Sequence, residues 1–417
     1  MTELVYERLR NAIRDDAAIR RIRRLQPAGG PGDKIFPPTY PGERNNDPPR
    51  HVFERRRVGE QNVLCVLIDS VQSQANRLEE ALKTARAAGK LSFPVITVDF
   101  SGTEVADIGG ITTLDAPHRV FDAIIRDSEL GNTRFNETEQ GKRLVQAKSQ
   151  NALAVYELSP TALVFGAWNS TGEGGGLGAK FPRCVVSEIV GVGVATEDVV
   201  DSRTGELRDE PSGKRTGSRI DPLGIRSGVR VFKLPNGEWS FEKDKRAKEV
   251  KPSEINHSNI APSVTALGVS IDYAQHSFVL SFAALRRLCF KRGEADLAAR
   301  GALAALALAS VASQNREGYF LRSRCDLVPE PGSSDDFELV QTNGKTEAVS
   351  LNFDSAMRLV GEAVRAAKAA DLPWNADDLV LKPQAKLVQL VVESRKRVLQ
   401  GEAEAEDAGK QSGNASE

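Results

Sequence analysis

The 417-residue sequence predicts a soluble protein of the α+β class, and three observations carry that expectation. Val63–Ile68 (VLCVLI) is uniformly apolar, as in a buried strand, and is followed by a helical spacing and a second strand-like run. From about 197 to 262 the apolar runs are short and turn signals recur, the texture of hairpins and loops. Beyond about 277 the pattern becomes mostly helical. Strand-rich and helix-rich stretches that follow one another describe α+β better than regular βα alternation.

In chain order, residues 3–25 read as an amphipathic helix carrying Leu4, Leu9, Ile13, Ala17 and Ile22. Arg20, Arg21, Arg23 and Arg24 crowd its end, where cations favour the dipole. Pro27–Pro49 is a Pro/Gly/Asn-rich loop, and Lys34, Phe36, Tyr40 and Arg44 suit an ordered binding loop. The strand Val63–Ile68 leads through Asp69 and Ser70 into a helix with apolar positions Val71, Ala75, Leu78, Ala81, Leu82 and Ala85, ending at Gly89. Phe93–Phe100 is the second strand. Residues 115–128 read as a short helix with Asp115 as N-cap and Pro117 in its first turn, and 137–157 as two helical pieces. Ala162–Trp168 reads as a strand, Gly172–Gly178 as a glycine-rich loop, and Cys184–Ala195 as a strand weakened by Gly191 and Gly193. Val229–Leu234 and Glu238–Phe241 flank a Pro-Asn-Gly turn and form a hairpin. Ser277–Phe290 and Asp296–Ala312 read as helices, Tyr319–Val328 as a strand with Phe337–Gln341 pairing nearby, and Ser355–Ala370 and Ala385–Leu399 as helices. Gly401–Glu417 is a polar, acidic, disordered tail.

Composition excludes some classes. With 56 Lys+Arg against 57 Asp+Glu the net charge is -1, which rules out a polycationic, histone-like binder but not a basic groove. Cys65, Cys184, Cys289 and Cys325 form no C-x-x-C pair, which argues for buried structural thiols in a reducing compartment. His51, His118, His257 and His276 are scattered and suggest no metal site. The N-terminus has no apolar signal region, and Ala302–Ala312 falls short of the roughly 20 residues a membrane span needs. The expectation is a cytoplasmic protein without a membrane partner.

No motif proposes a reaction. There is no G-x-S-x-G elbow, and Gly172–Lys180 fails as a triphosphate loop: Ala179 separates Gly178 from Lys180, and Phe181 stands where a Mg-binding hydroxyl belongs. Glu79 and Glu80 read as solvated residues of an exposed helix face. Nucleic-acid binding fares better, because charge is segregated. Residues 1–58 and 203–251 each hold 13 Lys+Arg against 8 Asp+Glu, and residues 286–324 hold 8 against 3. Residues 326–354 hold 1 against 7, and the tail 402–417 holds 1 against 5. Chance and solvated faces are the more usual explanation of such runs. Two further hints are the glycine loop beside Lys180 and Arg183, whose backbone can approach a phosphate closely, and the polar helix start Ser70–Arg77. Their plain explanations are a flexible connection and an N-cap.

The same residues carry a resemblance. LIDSVQSQANRLEEAL (67–82), HRVFDAIIRDS (118–128), SPTALVFGAWNSTG (159–172), KFPR (180–183), SRIDPLGI (218–225), LSFAALRRLCF (280–290) and LRSRCDLV (321–328) resemble the backbone RAMP subunit of the type I-G (formerly I-U) CRISPR Cascade complex. The matching blocks span about residues 35–330, and DSVQSQANR is the distinctive one. The resemblance implies a modified RRM, or ferredoxin-like, palm with inserted finger and β-hairpin thumb elements, forming one RAMP-type domain over 1–400. The strand–helix–strand at 63–100 would open the palm, 27–50 would be a loop insertion, and 197–262 the thumb. No RRM-type stacking aromatic is evident on a strand, which suits a family that grips the RNA backbone.

The resemblance also implies a function. Copies of the chain would polymerise head-to-tail along one CRISPR RNA and present its spacer for pairing with target DNA. Other Cascade subunits, and indirectly a recruited helicase-nuclease, complete the partners; no cofactor and no catalytic role are implied. Ser73, Gln74, Asn76 and Arg77 would hold guide phosphates at the palm, as would Lys180 and Arg183 beside the glycine loop. Arg219 and Arg226, with Ile220, Pro222 and Leu223, would form part of the thumb tip. Arg322 and Arg324 would line the same groove, whereas Arg286 and Arg287 suit packing or a neighbouring subunit. Two rival readings make different predictions. A RAMP-type endoribonuclease would need a general acid or base such as His257 or His118. A nucleotide-binding enzyme on the strand–loop–helix at 63–88 would be stabilised by ATP or NAD.

Overall fold

A computed structural model describes residues 2–42, 47–169, 179–200, 207–234, 237–243 and 245–399. The tail Gly401–Glu417, the glycine loop Gly172–Gly178 and Arg44 lie outside the described residues. The chain divides into two compact units. The first comprises Met1–Pro38, Phe53–Val194 and Ile271–Leu387; the second comprises Thr39–Val52, Ala195–Ser270 and Val388–Glu417.

The first unit is mixed α and β, built on a ten-stranded sheet. Its strands are β1 (Thr2–Glu3), β2 (Ala18–Pro27), β3 (Phe53–Val58), β4 (Gln61–Asp69), β5 (Val185–Val192), β6 (Tyr273–Ser281), β7 (Tyr319–Arg322), β8 (Cys325–Pro329), β9 (Phe337–Val340) and β10 (Thr346–Ser350). The order across the sheet is β1-β10-β9-β2-β6-β5-β4-β3, and the β7–β8 hairpin joins β2 through β8. The run from β2 through β6, β5 and β4 to β3 is antiparallel throughout. The principal helices are α1 (Tyr6–Asp15), α2 (Val71–Ala87), α3 (Glu294–Glu317) and α4 (Phe353–Ala369). The core lies where α1, α2 and α4 crowd α3. By length and composition alone α3 could cross a membrane, but it is mostly buried. Ala and Leu fill its surface from Ala302 to Ala309, and the small side chains admit neighbours on every side.

Several expectations are corrected. Residues 3–25 are not one helix: α1 stops at Asp15, and β2 begins at Ala18. Helical spacing misled because β2 inverts the usual alternation. Arg21 and Arg23 point inward with Ile19 and Leu25, while Ile22 faces out. The segment after α2 yields only Ile96–Asp99 as strand, and it joins a separate five-stranded sheet beside Leu379–Pro383, so 63–100 is not a strand–helix–strand of one sheet. Within 115–128 the helix starts later than expected: Asp122, not Asp115, caps Ala123–Arg126. Ala162–Trp168 is mainly helical, with Thr161–Phe165 followed by a two-residue strand, Ala167–Trp168. Ser277–Phe290 is the end of β6 plus a short helix, Phe282–Arg286, started by the Ser281 side chain accepting from the Ala284 N–H. Tyr319–Val328 is a hairpin rather than one strand. The strands Val185–Val192 and Phe337–Val340, the helices near 137–157, and those over Phe353–Ala369 and Ala385–Leu399 fall where the sequence placed them.

The second unit contains the hairpin-rich stretch. Thr196–Val200 pairs with Leu207–Pro211, Arg215–Arg219 with Ile260–Thr265, and Val231–Lys233 with both Trp239–Ser240 and Lys248–Val250. His51 is buried there, its Nε2 accepting from the Gly268 N–H at 2.8 Å.

Candidate nucleic-acid interface

Asp69 ends β4 and is completely buried. The next residue, Ser70, caps α2 by accepting from the Ser73 N–H at 3.2 Å. That start brings three α2 donors onto one face, at spacings of three and four residues, directly over the Asp69 carboxylate. Ser73 Oγ donates to Oδ1 at 2.8 Å, Gln74 Nε2 to Oδ2 at 2.7 Å, and Arg77 Nε to Oδ2 at 3.0 Å. Arg322 reaches the same carboxylate from β7, donating to Oδ1 at 3.4 Å and to the Ile68 carbonyl at 2.9 Å. Arg77 in turn donates to the Leu321 carbonyl at 2.6 Å and so fastens β7 to α2. Two guanidiniums thus share one carboxylate, which leaves the cluster a net cation, and both arginines remain partly exposed. Asn76 is exposed at the edge of this cluster. Gln74 is wholly buried, so it orients the carboxylate and does not face solvent.

Behind Asp69 the polar chain continues across the sheet. Ser187 Oγ on β5 donates to Gln74 Oε1 at 3.1 Å and lies 2.9 Å from His276 Nε2 on β6. Arg21 on β2 approaches His276 Nδ1 at 3.2 Å. An arginine can only donate, so Nδ1 accepts and Nε2 carries the proton that goes to Ser187. Burial, together with the nearby Arg21 and Arg23 charges, holds the His276 pKa well below its ordinary value, and the ring is neutral. Arg21 and Arg23 both pair with Asp335, at 2.9 and 3.1 Å, which gives the inward-facing arginines of β2 a counter-charge, while the buried Nε of each has no hydrogen-bond partner among the described residues.

A second basic site lies beside the glycine loop. Trp168 and Lys180 face each other across a two-residue ladder, with the Lys180 ammonium 5.7 Å from the indole centroid. With Arg183, His118, Phe165 and Phe181 they line a concavity of about 330 Å³. Arg119, which also lines it, is held by an ion pair. Arg119 donates to both Glu79 oxygens, at 2.7 and 2.5 Å, and to the Gly166 carbonyl at 3.0 Å. Arg119 adopts a left-handed backbone (φ 52°), costly for a residue with a Cβ, and these three bonds fix it there. Gly166 (φ 86°) lets the chain pass so close to Arg183 that a Cβ would stand 3.1 Å from its backbone nitrogen. Glu79 is therefore a buried partner of Arg119, contrary to the expectation of a solvated face. Burial pushes its carboxyl up to about 7, against the pull of Arg119. Arg183 is held below the ordinary arginine value by partial burial and by the Arg119 charge. Among the described residues, neither Lys180 nor Arg183 has an ion-pair partner.

The remaining candidates are dispersed. Arg324 sits at the β7–β8 turn with φ 60°, its guanidinium 4.0 Å from the Phe36 ring centroid, and the Phe36 N–H donates to its carbonyl at 2.9 Å. In the second unit, Arg219 donates to the carbonyls of His257 at 2.6 Å and Ser258 at 2.9 Å, so it ties the end of its strand to the segment leading into the partner strand. Asp221 accepts from the N–H groups of Ser258 at 2.7 Å and Leu223 at 3.1 Å, which fixes a turn with Ile220 86% and Leu223 71% exposed. Arg226 is exposed beside that turn.

Sequence reasoning missed Trp168 as a site residue, the Asp69 and Glu79 carboxylates, and the exposed strand aromatic Phe320 on β7. The signal for Asp69 was available: a lone carboxylate closing an apolar strand must find cations or donors. No curated protein matches the chain. Residues 19–196, less than half of the chain, match the family model described as CRISPR-associated protein GSU0053 (Cas_GSU0053). That stretch carries the α2 donors, Trp168, Lys180 and Arg183, and its likeness to CRISPR-associated proteins suggests a role in CRISPR defence.

Proposed function

We propose that the chain is a non-catalytic, cytoplasmic backbone subunit of a type I-G Cascade complex, bound along guide RNA in several copies and presenting the spacer to target DNA. The observation that carries the proposal is the pair Lys180 and Arg183, two cations at one concavity that have no ion-pair partner among the described residues, inside the stretch similar to CRISPR-associated proteins. Phosphate is the anion such a site attracts irrespective of sequence. The topology supports a RAMP palm. With β3 and β4 inserted before α2 and β7 before β8, the strands β2, β5, β6 and β8 and the helices α2 and α3 follow a strand–helix–strand–strand–helix–strand order. The first and third lie side by side, the second beyond the third and the fourth beyond the first. The fixed apolar turn at Ile220 and Leu223 supports a thumb, since exposed aliphatic side chains can wedge between base steps. Expressing the chain with a CRISPR array and sequencing what copurifies tests the reading. Guide RNA of uniform repeat-derived ends is expected, and a chain that purifies without RNA overturns it.

One observation favours the endoribonuclease reading: His118 lines the same concavity as Lys180 and Arg183, so a general acid or base and two phosphate-binding cations share one site. Repeat RNA incubated with the protein in chelator separates the two. Cleavage lost in His118→Ala would establish the enzyme, and intact RNA the scaffold.

A further inference from the structure

We infer that the Trp168 concavity is a slot for one unpaired nucleotide, with the base stacked on the indole and the flanking phosphates on Lys180 and Arg183; this rests on the RNA-binding reading above. Trp168 is 46% exposed although it lies in a paired strand, and a large aromatic left half-open beside two cations is a stacking platform rather than core. Lys180 stands directly across the ladder, close enough to the indole for a cation–π interaction. A phosphate arriving there would draw the ammonium aside and open the ring face. The third cation, Arg119, is committed to Glu79 and the Gly166 carbonyl and cannot serve as a binding group without giving up those buried hydrogen bonds. Arg119 is therefore held in place beneath the rim, and the rim is cationic. A concavity of about 330 Å³ holds a nucleotide but not a duplex segment. Stacking on an indole is tolerant of base identity, so the slot should accept any base.

Oligoribonucleotides of mixed sequence and abasic oligomers of equal length, titrated against the full chain, test this. Trp168→Ala should weaken binding of the base-containing oligomer about tenfold, the order of one stacking interaction, while leaving the abasic oligomer unchanged. A folding defect would weaken both. Binding should quench tryptophan fluorescence in the wild type, and Trp168→Phe should lose most of the quench while keeping most of the affinity. Equal affinities of wild type and Trp168→Ala for the base-containing oligomer would overturn the slot and leave RNA binding standing. A wild-type chain that binds neither oligomer would overturn RNA binding and the slot together.

Discussion

The two basic sites of the first unit differ in what balances their cations. At Asp69, two arginines, a glutamine and a serine converge on one buried carboxylate, so the side chains expected to hold RNA also hold the fold. At Trp168 the buried carboxylate, Glu79, is hydrogen-bonded by Arg119, Arg183 adds only a longer-range attraction to it, and neither Lys180 nor Arg183 has an ion-pair partner among the described residues. The lesson concerns separability. Substitutions at the first site cost stability before they report on binding, whereas substitutions at the second report on binding directly.

The largest effect is therefore expected from Asp69→Ala. It leaves Arg77, Arg322 and Gln74 without their shared acceptor and should destabilise the chain by about 3–5 kcal/mol, the range for removing one partner of a buried ion pair. Urea denaturation measures this. A loss within about 0.5 kcal/mol, typical of surface positions, would erase the distinction between the two sites.

Glu79 sharpens the comparison through pH. Its folded pKa, about 7, lies above the ordinary 4.5 because burial outweighs Arg119. The native chain thus keeps a proton that the unfolded chain releases, and this contribution is complete below about pH 4.5 and lost as pH rises through about 7. His276 acts oppositely: its depressed pKa contributes stability present above 6.5 and lost as pH falls. The whole-protein profile mixes the two, so the informative quantity is wild type compared with Glu79→Gln. The stability of wild type relative to the variant should decrease between pH 5 and pH 8. A difference that stays constant would mean that Arg119 keeps Glu79 ionised throughout.

Lys180→Gln with Arg183→Gln probes the opposite pole. Stability should stay within about 0.5 kcal/mol of wild type, since neither residue has an ion-pair partner among the described residues. Affinity for single-stranded RNA should fall for every sequence, and its salt dependence should flatten by up to about 0.7 for each phosphate no longer neutralised. An unchanged salt slope would remove Lys180 and Arg183 from the interface.

How much of this was legible in the sequence follows from the same contrast. Lys180 and Arg183 were readable because their setting is local: a glycine loop and two cations within a few residues. The apolar strand ending at Asp69, the polar α2 start and the long alanine-rich helix were also readable, because each is a pattern within one element. The Asp69 cluster was not, since Arg322 arrives from a strand some 250 residues away and no spacing rule links the two. β2 was misread for a related reason. Its inward arginines are tolerable only because Asp335 and His276 meet them across the fold, so the local pattern points the wrong way. Glu79 looked solvated because its partner, Arg119, lies 40 residues on in a short turn whose left-handed backbone no propensity anticipates.

Within the Asp69 site the smallest effect is expected at Ser73, and it divides that site. Ser73 Oγ gives Asp69 one of several hydrogen bonds, and its own N–H is capped by Ser70. Ser73→Ala removes only the hydroxyl, leaves Arg77, Arg322 and Gln74 on the carboxylate, and keeps the helix start. A loss of about 1 kcal/mol is expected, the net worth of one ordinary hydrogen bond. If Ser73 acts only on Asp69, affinity for RNA should match wild type once stability is accounted for. If its hydroxyl also meets a phosphate, affinity should fall for every sequence with the salt slope unchanged, because a neutral donor releases no counterion. Binding isotherms at two salt concentrations distinguish these outcomes, and a fall in affinity would move Ser73 from the scaffold of the cluster to its RNA-facing edge.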